Sequence, residues 1–183
     1  MQGQAYNIPP AVEPIDMEPS PALSLLAKAK PTLGGRKIGV LVSEGFELAI
    51  LDQLQASAET EGAAVELIGP HIGEVKSNSG VAITPNHAIA AAPSVLFDTV
   101  VVAVSETAID TLKRQAPVLN FIRDAYAHLK IIGCTAASTP LLEIAGIDLD
   151  DGVVEVDTRE GTIAYVDAAK QGRIWPRAAA IKA

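Results

Sequence analysis

The sequence predicts an α/β domain in which a doubly wound parallel sheet lies between two layers of helices. From residue 36 onward, short apolar runs alternate with segments of helical periodicity, and glycines end the helical segments. This alternation is typical of parallel strands joined by helical crossovers on both faces of a sheet. In addition, six prolines fall within residues 9–31 and predict an extended segment before the domain.

The first strand and helix have the clearest local pattern. Residues Lys37–Val42 form a mostly apolar run, which is typical of a strand buried on both faces. After a turn over residues 43–46, apolar side chains recur at helical spacing, and Gly62 ends that helix. These side chains are Leu48, Leu51, Leu54 and Ala58. A second strand is predicted over Ala64–Gly69.

The middle of the chain predicts a small β-hairpin and then the most strand-like run. Residues 74–84 are interpreted as the hairpin, because residues 78–80 (Asn-Ser-Gly) favour a tight turn between its two arms. Residues 97–104 are rich in valine and predict the third strand of the main sheet. A helix is predicted from Ala116, and its apolar face contains Val118, Ile122, Ala125 and Leu129.

The last third of the chain continues the alternation. A fourth strand is predicted over residues 131–134, and a helix over residues 139–145 ends at Gly146. An edge strand is predicted over residues 152–156 and a final helix over residues 161–171. Together these elements complete a domain of three layers.

Three parts follow from these patterns: a Pro-rich linker over residues 1–35, the α/β domain over residues 36–175 and a C-terminal tail over residues 176–183. Prolines favour extended backbone, so the linker is predicted to be a semi-rigid arm. An arm of this length without helices or strands is unusual within one compact domain and predicts a connection to another domain. Its apolar patch, residues 22–26, is a candidate docking segment.

Composition and charge exclude several classes of function. The formal net charge of −8 disfavours binding to nucleic acid or to anionic membranes. No apolar run approaches the ~20 residues that a membrane span requires. The single cysteine, Cys134, excludes an internal disulfide and a CxxC pair. Residues 1–10 lack the basic and apolar regions of a signal peptide, which favours a cytoplasmic over a secreted location.

Functional residues are expected beyond the carboxyl ends of the strands, where doubly wound sheets bind ligands. Neither GxGxxG nor GxxxxGK[ST] occurs, so no phosphate-binding loop is predicted. His71 and His87 are predicted in loops, and His128 near the end of a helix. None of the three has a further ligand at metal-binding spacing on its element, so no metal site is predicted.

Cys134 has two interpretations. A thiol at a strand-to-helix turn can be a nucleophile, whereas a thiol inside a strand is a buried core residue. Cys134 ends its apolar run rather than following it, which favours the buried thiol. Ser105 and Ser138 also follow strands, but no histidine is placed as a general base. They are interpreted as capping serines.

Residues 37–47 resemble the first strand and turn of the ThiJ/PfpI family, which belongs to the class I glutamine amidotransferase-like superfamily and has a flavodoxin-like fold. In that family a glutamate after the turn hydrogen-bonds a catalytic cysteine at the elbow after a later strand. Glu47 matches the glutamate. Residues 130–137 (KIIGCTAA) match the later strand, and this register places the family's cysteine at Ala136 and the histidine after it at Ala137.

The family's Pro-Gly-Gly oxyanion turn matches residues 103–105 (Ala-Val-Ser). The resemblance therefore implies that nucleophile, base and oxyanion glycines are all replaced. A vestigial site is expected at Glu47, Ala136, Ala137 and Ser105, with no catalytic, cofactor-binding or metal-binding residues.

The sequence also resembles, over nearly its whole length, the C-terminal domain of large-subunit haem catalases. Residues 21–25 and 35–38 are similar to the linker and domain entry of those proteins. Further similar segments follow in the same order at residues 92–94, 125–130, 152–157 and 173–177. The resemblance implies a parent enzyme that decomposes hydrogen peroxide with haem and assembles as a stable tetramer.

Three hypotheses of function follow. The first, which the sequence favours, is a non-catalytic domain of a haem catalase that contributes to subunit stability, with haem only in the parent enzyme. Its partners would be the catalase core domain, neighbouring subunits and, through a chaperone-like activity, unfolded client proteins. The second is a free-standing ThiJ/PfpI-type glyoxalase, deglycase or hydrolase, which would need an intact Cys-His elbow. The third is a flavodoxin-like module for a small ligand, which would need a phosphate-binding loop.

Overall fold

The structure, a computed structural model, describes residues 11–13, 15–18, 20–24, 27–179 and 181. The chain divides into two compact units, residues 1–30 and residues 31–183. In the first unit the backbone turns after Ser20, whose carbonyl accepts a hydrogen bond from the Leu23 N–H (3.1 Å). Much of the predicted linker, including residues 25 and 26 of its apolar patch, lies outside the described residues.

The second unit contains the predicted alternation of strands and helices. Within the described residues the strands are β1 (Lys37–Val42), β2 (Ala64–Gly69), β3 (Val75–Lys76), β4 (Ala82–Ile83), β5 (His87–Ala88), β6 (Thr99–Ala103), β7 (Ile132–Cys134) and β8 (Val153–Glu155). The α-helices there are α1 (Leu48–Thr60), α2 (Ile109–Leu112), α3 (Ala116–Ala127), α4 (Thr139–Ala145) and α5 (Arg159–Gln171). No helix among the described residues is long and apolar enough to span a membrane.

The described strands form one parallel sheet and one hairpin. The sheet has the order β5-β2-β1-β6-β7-β8, and all neighbouring pairs are parallel. From β1 the chain adds β2 and then β5 on one side, and it continues with β6, β7 and β8 on the other side of β1. This reversal is the doubly wound topology, so the predicted fold class is confirmed. β3 and β4 pair antiparallel as the predicted hairpin.

Apolar side chains bury both faces of the sheet. In β1, Val40 and Val42 belong to one core cluster and Leu41 to the other, because successive side chains of a strand point to opposite faces. Helices α1 and α5 cover the first face through residues such as Leu54 and Tyr165. Helices α3 and α4 cover the second. Predicted burial of the first strand on both faces is therefore confirmed.

Two glycines end helices as predicted. Gly62 after α1 and Gly146 after α4 have φ angles of +75° and +72°. This left-handed conformation costs little for glycine and is disfavoured for residues with a Cβ atom. These two positions therefore set where α1 and α4 stop.

The third predicted strand is shorter than expected. β6 begins at Thr99 rather than at Phe97, because the Phe97 N–H bonds the Ser94 carbonyl (3.0 Å) in a 3₁₀ turn and is withdrawn from the sheet. The Phe97 ring packs directly against Gly39, where an added Cβ would lie 2.6 Å from the ring. Phe97 is thus a core residue of the turn, not of the strand.

Other element ends also differ from the prediction. Helix α3 ends at Ala127, and Leu129 lies beyond it with a φ of +60°, so Leu129 is not part of the helical face. Helix α5 begins at Arg159, two residues early, because the Thr158 side chain caps it by accepting a hydrogen bond from the Gly161 N–H (3.0 Å). The edge strand β8 covers only Val153–Glu155.

The prediction that His87 lies in a loop is wrong. His87 belongs to the edge strand β5 and pairs with Ile68 of β2. Its Nε2 lies 2.7 Å from the Glu66 carboxylate, which also binds Lys37. A strand of two residues is too short to show periodicity, which is why the sequence pattern missed it.

Candidate functional site

An open pocket of about 440 Å³ lies beyond the carboxyl ends of β1 and β6. These strands are adjacent at the point where the sheet order reverses, with Val42 opposite Ala103. Doubly wound sheets bind ligands at this position because the flanking loops diverge there. The pocket brings together three residues of the predicted vestigial site, namely Glu47, Ser105 and Ala137.

Glu47 is exposed at the N-cap position of α1, and its side chain makes no capping hydrogen bond. Within the part of the chain that the structure describes, the residues that line the pocket include the acidic side chains Glu47, Glu106 and Asp157 and no cysteine, histidine, lysine or arginine. The glutamate that matches the family's carboxylate is therefore present without a thiol or an imidazole beside it.

Ala136, the position that matches the family's cysteine, is exposed in the turn after β7. Its N–H donates a hydrogen bond to Oδ2 of Asp157 (2.7 Å). The turn is closed by a reciprocal capping box between Thr135 and Ser138, and Oγ of Ser138 also donates to the Val102 carbonyl (2.6 Å). Ser138 is thus a buried capping residue, as predicted, and has no exposed hydroxyl for chemistry.

The loop after β6 is held by hydroxyl groups. The Ser105 N–H donates to Oγ of Ser43 (2.9 Å), and Oγ of Ser105 donates to the Glu44 carbonyl. The backbone donor at the position of the family's oxyanion turn is therefore already bonded within the protein. This arrangement ties the loops after β1 and β6 together. Ser105 precedes a 3₁₀ turn, but its side chain makes no capping hydrogen bond, so the prediction that it is a capping serine is wrong.

Cys134 is the last residue of β7 and is only 5% exposed. Burial raises the pKa of its thiol to about 11, and the carboxylates of Asp157 and Glu155 add to this effect. Cys134 is therefore a buried core thiol, as its position in the apolar run predicts. It lies two residues before the exposed turn position Ala136.

The remaining histidines have local contacts. His128 follows α3, with its Nδ1 2.6 Å from the Asp124 carbonyl. His71 lies in the loop after β2, as predicted. Among the described residues there is no group of three or more His, Cys, Asp or Glu side chains that could hold a metal ion.

Sequence reasoning missed two residues of the pocket. Asp157 follows the edge strand β8, so the rule that functional residues follow strand ends would have found it had it been applied to this strand as well. Gln53 on α1 has a buried Oε1 with no hydrogen-bond partner among the described residues. No sequence signal distinguishes it from other polar residues of that helix.

Comparison with known proteins assigns this chain to a family. The model of the C-terminal domain found in long catalases matches residues 34–179. Catalase C of Rhizobium meliloti is 38% identical over 169 residues, which are 91% of this chain and 24% of that protein. Catalase HPII of Pseudomonas putida is 32% identical over 90% of this chain and 23% of that protein. The chain thus spans about a quarter of the length of these relatives.

Solved structures show the same fold at low identity. Drosophila melanogaster DJ-1beta superposes with a TM-score of 0.64 at 14% identity, over 79% of this chain and 94% of that one. A ThiJ/PfpI family protein from Pseudomonas syringae has a TM-score of 0.62 at 17% identity, over 93% of this chain and 80% of that one. The fold is therefore of the ThiJ/PfpI type, and the chain belongs to the family of C-terminal domains of long catalases.

Proposed function

We propose that this domain is a non-catalytic part of a haem catalase and stabilises the assembled enzyme, while hydrogen peroxide is decomposed elsewhere in the parent protein. The observation that carries the proposal is the family match over residues 34–179. The relatives matched over 90% or more of the chain, Catalase C and Catalase HPII, extend far beyond the matched region. The partners on this proposal are the catalase core domain and neighbouring subunits.

The geometry of the pocket supports a non-catalytic role. The turn position that matches the family's nucleophile is Ala136, and Cys134 is buried with a raised pKa. Thiolate is the nucleophilic form of cysteine, so a buried thiol of high pKa is a poor nucleophile. The Ser105 N–H already bonds Ser43, so it does not point freely at a developing oxyanion.

Tyrosine and arginine, two residue types of a haem-ligand segment, occur together on helix α3, but their contacts do not favour that role. Tyr126 and Arg123 share helix α3, but the Tyr126 ring packs against the guanidinium of Arg177, whose Cζ lies 4.1 Å from the ring centroid. Nε of Arg123 donates to the Ala145 carbonyl (2.8 Å). Both side chains are thus engaged in holding the domain together, and we assign haem chemistry to the parent enzyme rather than to this domain.

A domain exchange tests the proposal. The region of Rhizobium meliloti Catalase C that matches this chain is deleted in one protein and replaced by this chain in another. We expect the chimera to retain catalase activity longer than the truncated enzyme on heating, because a docked domain opposes subunit unfolding. Equal half-lives of inactivation for the two proteins would contradict a stabilising role.

The isolated chain provides the second test. After incubation with haem and removal of unbound haem by gel filtration, it should show no Soret absorption band and should not decompose peroxide. Glyoxalase, deglycase or esterase turnover by the isolated chain, lost on substitution of Glu47 by glutamine, would instead support the ThiJ/PfpI enzyme hypothesis.

Chaperone-like protection of other proteins is a further part of the proposal. Its test is light scattering by a heat-denatured client enzyme in the presence of the chain. Suppression of scattering at substoichiometric ratios would support it, and scattering equal to that with serum albumin would contradict it.

A further inference from the structure

A second pocket, of about 340 Å³, lies beside the loop that leads into the edge strand β8, away from the carboxyl ends of β1 and β6. Tyr126, Ile174 and Pro176 provide its apolar surface. The loop before β8 adds acidic side chains at Asp148, Asp150 and Asp151, and Arg177 completes the lining. We call this site the aspartate pocket.

Arg177 makes one wall of the aspartate pocket rigid. Its side chain is fully buried and binds both carboxylate oxygens of Asp150, at 2.6 and 2.7 Å. Its Nη1 donates to the Lys130 carbonyl (2.7 Å), and its guanidinium stacks over the Tyr126 ring. The charge of Asp150 is therefore neutralised within the protein.

The other two carboxylates of the pocket are exposed to solvent. Asp148 and Asp151 are exposed, and neither forms a salt bridge among the described residues. Large exposed apolar side chains neighbour the lining residues in sequence: Leu149, next to Asp148, is 56% exposed, and Trp175, between Ile174 and Pro176, is 52% exposed. An apolar pocket with two exposed carboxylates and exposed apolar neighbours has the character of a protein contact site that favours a basic partner.

We propose that the aspartate pocket receives an arginine or lysine side chain from the catalase core domain. The aliphatic stem of that side chain packs on Ile174 and Pro176, and its charged end lies against Asp148 and Asp151. The inference rests on the proposed function, because it names the contact through which the domain stabilises the parent enzyme.

Charge argues for this partner over a second copy of the chain. The chain has a net charge of −8, and a second copy would bring the same two aspartates to the contact. Like charges in one interface are unfavourable. Arg177 already shows the chemistry inside the domain, since its guanidinium pairs with a carboxylate and stacks on an aromatic ring. About three quarters of Catalase C lies outside the matched region and could supply the basic side chain.

The chimera of Catalase C that carries this chain tests the contact. Asp148→Asn with Asp151→Asn removes both charges and leaves the Arg177–Asp150 pair intact. The matched control, Asp52→Asn with Glu59→Gln, removes two exposed charges from helix α1. We expect the first variant to shorten the half-life of thermal inactivation by about three- to tenfold at low salt, with little effect of the control. High salt should reduce the difference, because it screens charges at a partly exposed contact.

The outcomes separate this inference from the proposed function. If the chimera is more stable than the truncated enzyme but the two double variants behave alike, the aspartate pocket is not the contact, and the stabilising role stands. If the chimera is no more stable than the truncated enzyme, the stabilising role fails.

A peptide titration of the isolated chain decides the inference independently. Trp175 is the single tryptophan of the sequence and lies between the lining residues Ile174 and Pro176, so its emission should respond to a peptide that binds there. The amidated peptide Ac-Leu-Arg-Leu should shift that emission saturably, and Ac-Leu-Glu-Leu should not. Equal responses to both peptides, or an unchanged response in the Asp148→Asn, Asp151→Asn chain, would overturn the inference.

Discussion

Cys134 should react with thiol reagents far more slowly than an unfolded cysteine. Burial, reinforced by Asp157 and Glu155, raises its pKa from an ordinary 9.0 to about 11. Because the thiolate is the reactive form, two pKa units reduce the reactive fraction at neutral pH by about 100-fold. The pKa shift is upward because desolvation disfavours the charged form of a buried acid.

Limited access of the reagent to the Cys134 sulfur lowers the rate of labelling further. Cys134 packs in the core cluster that α3 and α4 cover, so reagent reaches the sulfur only when this part of the domain opens locally. Opening of a central strand costs enough free energy to reduce the rate by at least a further ~10-fold. Together the two effects predict a native rate about 1,000-fold below that of the denatured chain.

Timed labelling with Ellman's reagent at pH 7.5, with and without denaturant, measures this ratio. The matched control is Cys134→Ala combined with Ala136→Cys, which moves the single thiol to the exposed turn two residues later. That thiol should react within about tenfold of the denatured rate, even with the Asp157 carboxylate nearby. If native Cys134 reacts as fast as this control, the reasoning that makes it a core thiol is refuted.

Three substitutions test other buried contacts. Arg177→Met should lower the free energy of unfolding by about 2–4 kcal/mol, because it leaves Asp150 unpaired. Arg177 also lowers the pKa of Asp150, so in the wild type this contribution should be present above the unfolded pKa of ~3.9 and lost as pH falls through the folded pKa. Tyr165→Phe should cost about 1–2 kcal/mol, because it removes the buried hydroxyl 2.9 Å from Oγ1 of Thr99. Burial lowers the pKa of Lys130 to about 8 from 10.5, so at this residue the unfolded chain binds more protons above pH ~8 and the Lys130 contribution to stability should rise with pH, opposite in sign to the contributions of Cys134 and Tyr165. That rise, up to ~3 kcal/mol, should be absent in Lys130→Met. Urea unfolding followed by tryptophan fluorescence measures all three; wild-type midpoints in the first two variants, or the same pH slope in the third, would contradict these expectations.

The local sequence pattern predicted the bounds of an element correctly where successive residues are apolar and buried, or where a glycine ends a helix. The bounds of β1, β2 and α4 agree with the prediction. β1 is buried on both faces beyond Lys37 and gives an apolar run, and Gly146 ends α4 with its positive φ. β5 and α2 were missed, since elements of two and four residues have no measurable period. Thr158 could have located the start of α5, because Thr is a preferred N-cap residue.

The sequence by itself determined the order and type of the main elements, the acidic charge and the place of Cys134 inside a strand. These properties depend on composition and on periodicity over a few residues. Only the tertiary structure decided which groups of the pocket are already bonded. Asp157 accepts from the N–H of Ala136, 21 residues away in sequence, and Ser43 accepts from the N–H of Ser105, 62 residues away. Such contacts depend on which strands become neighbours in the sheet, and no local pattern specifies that order.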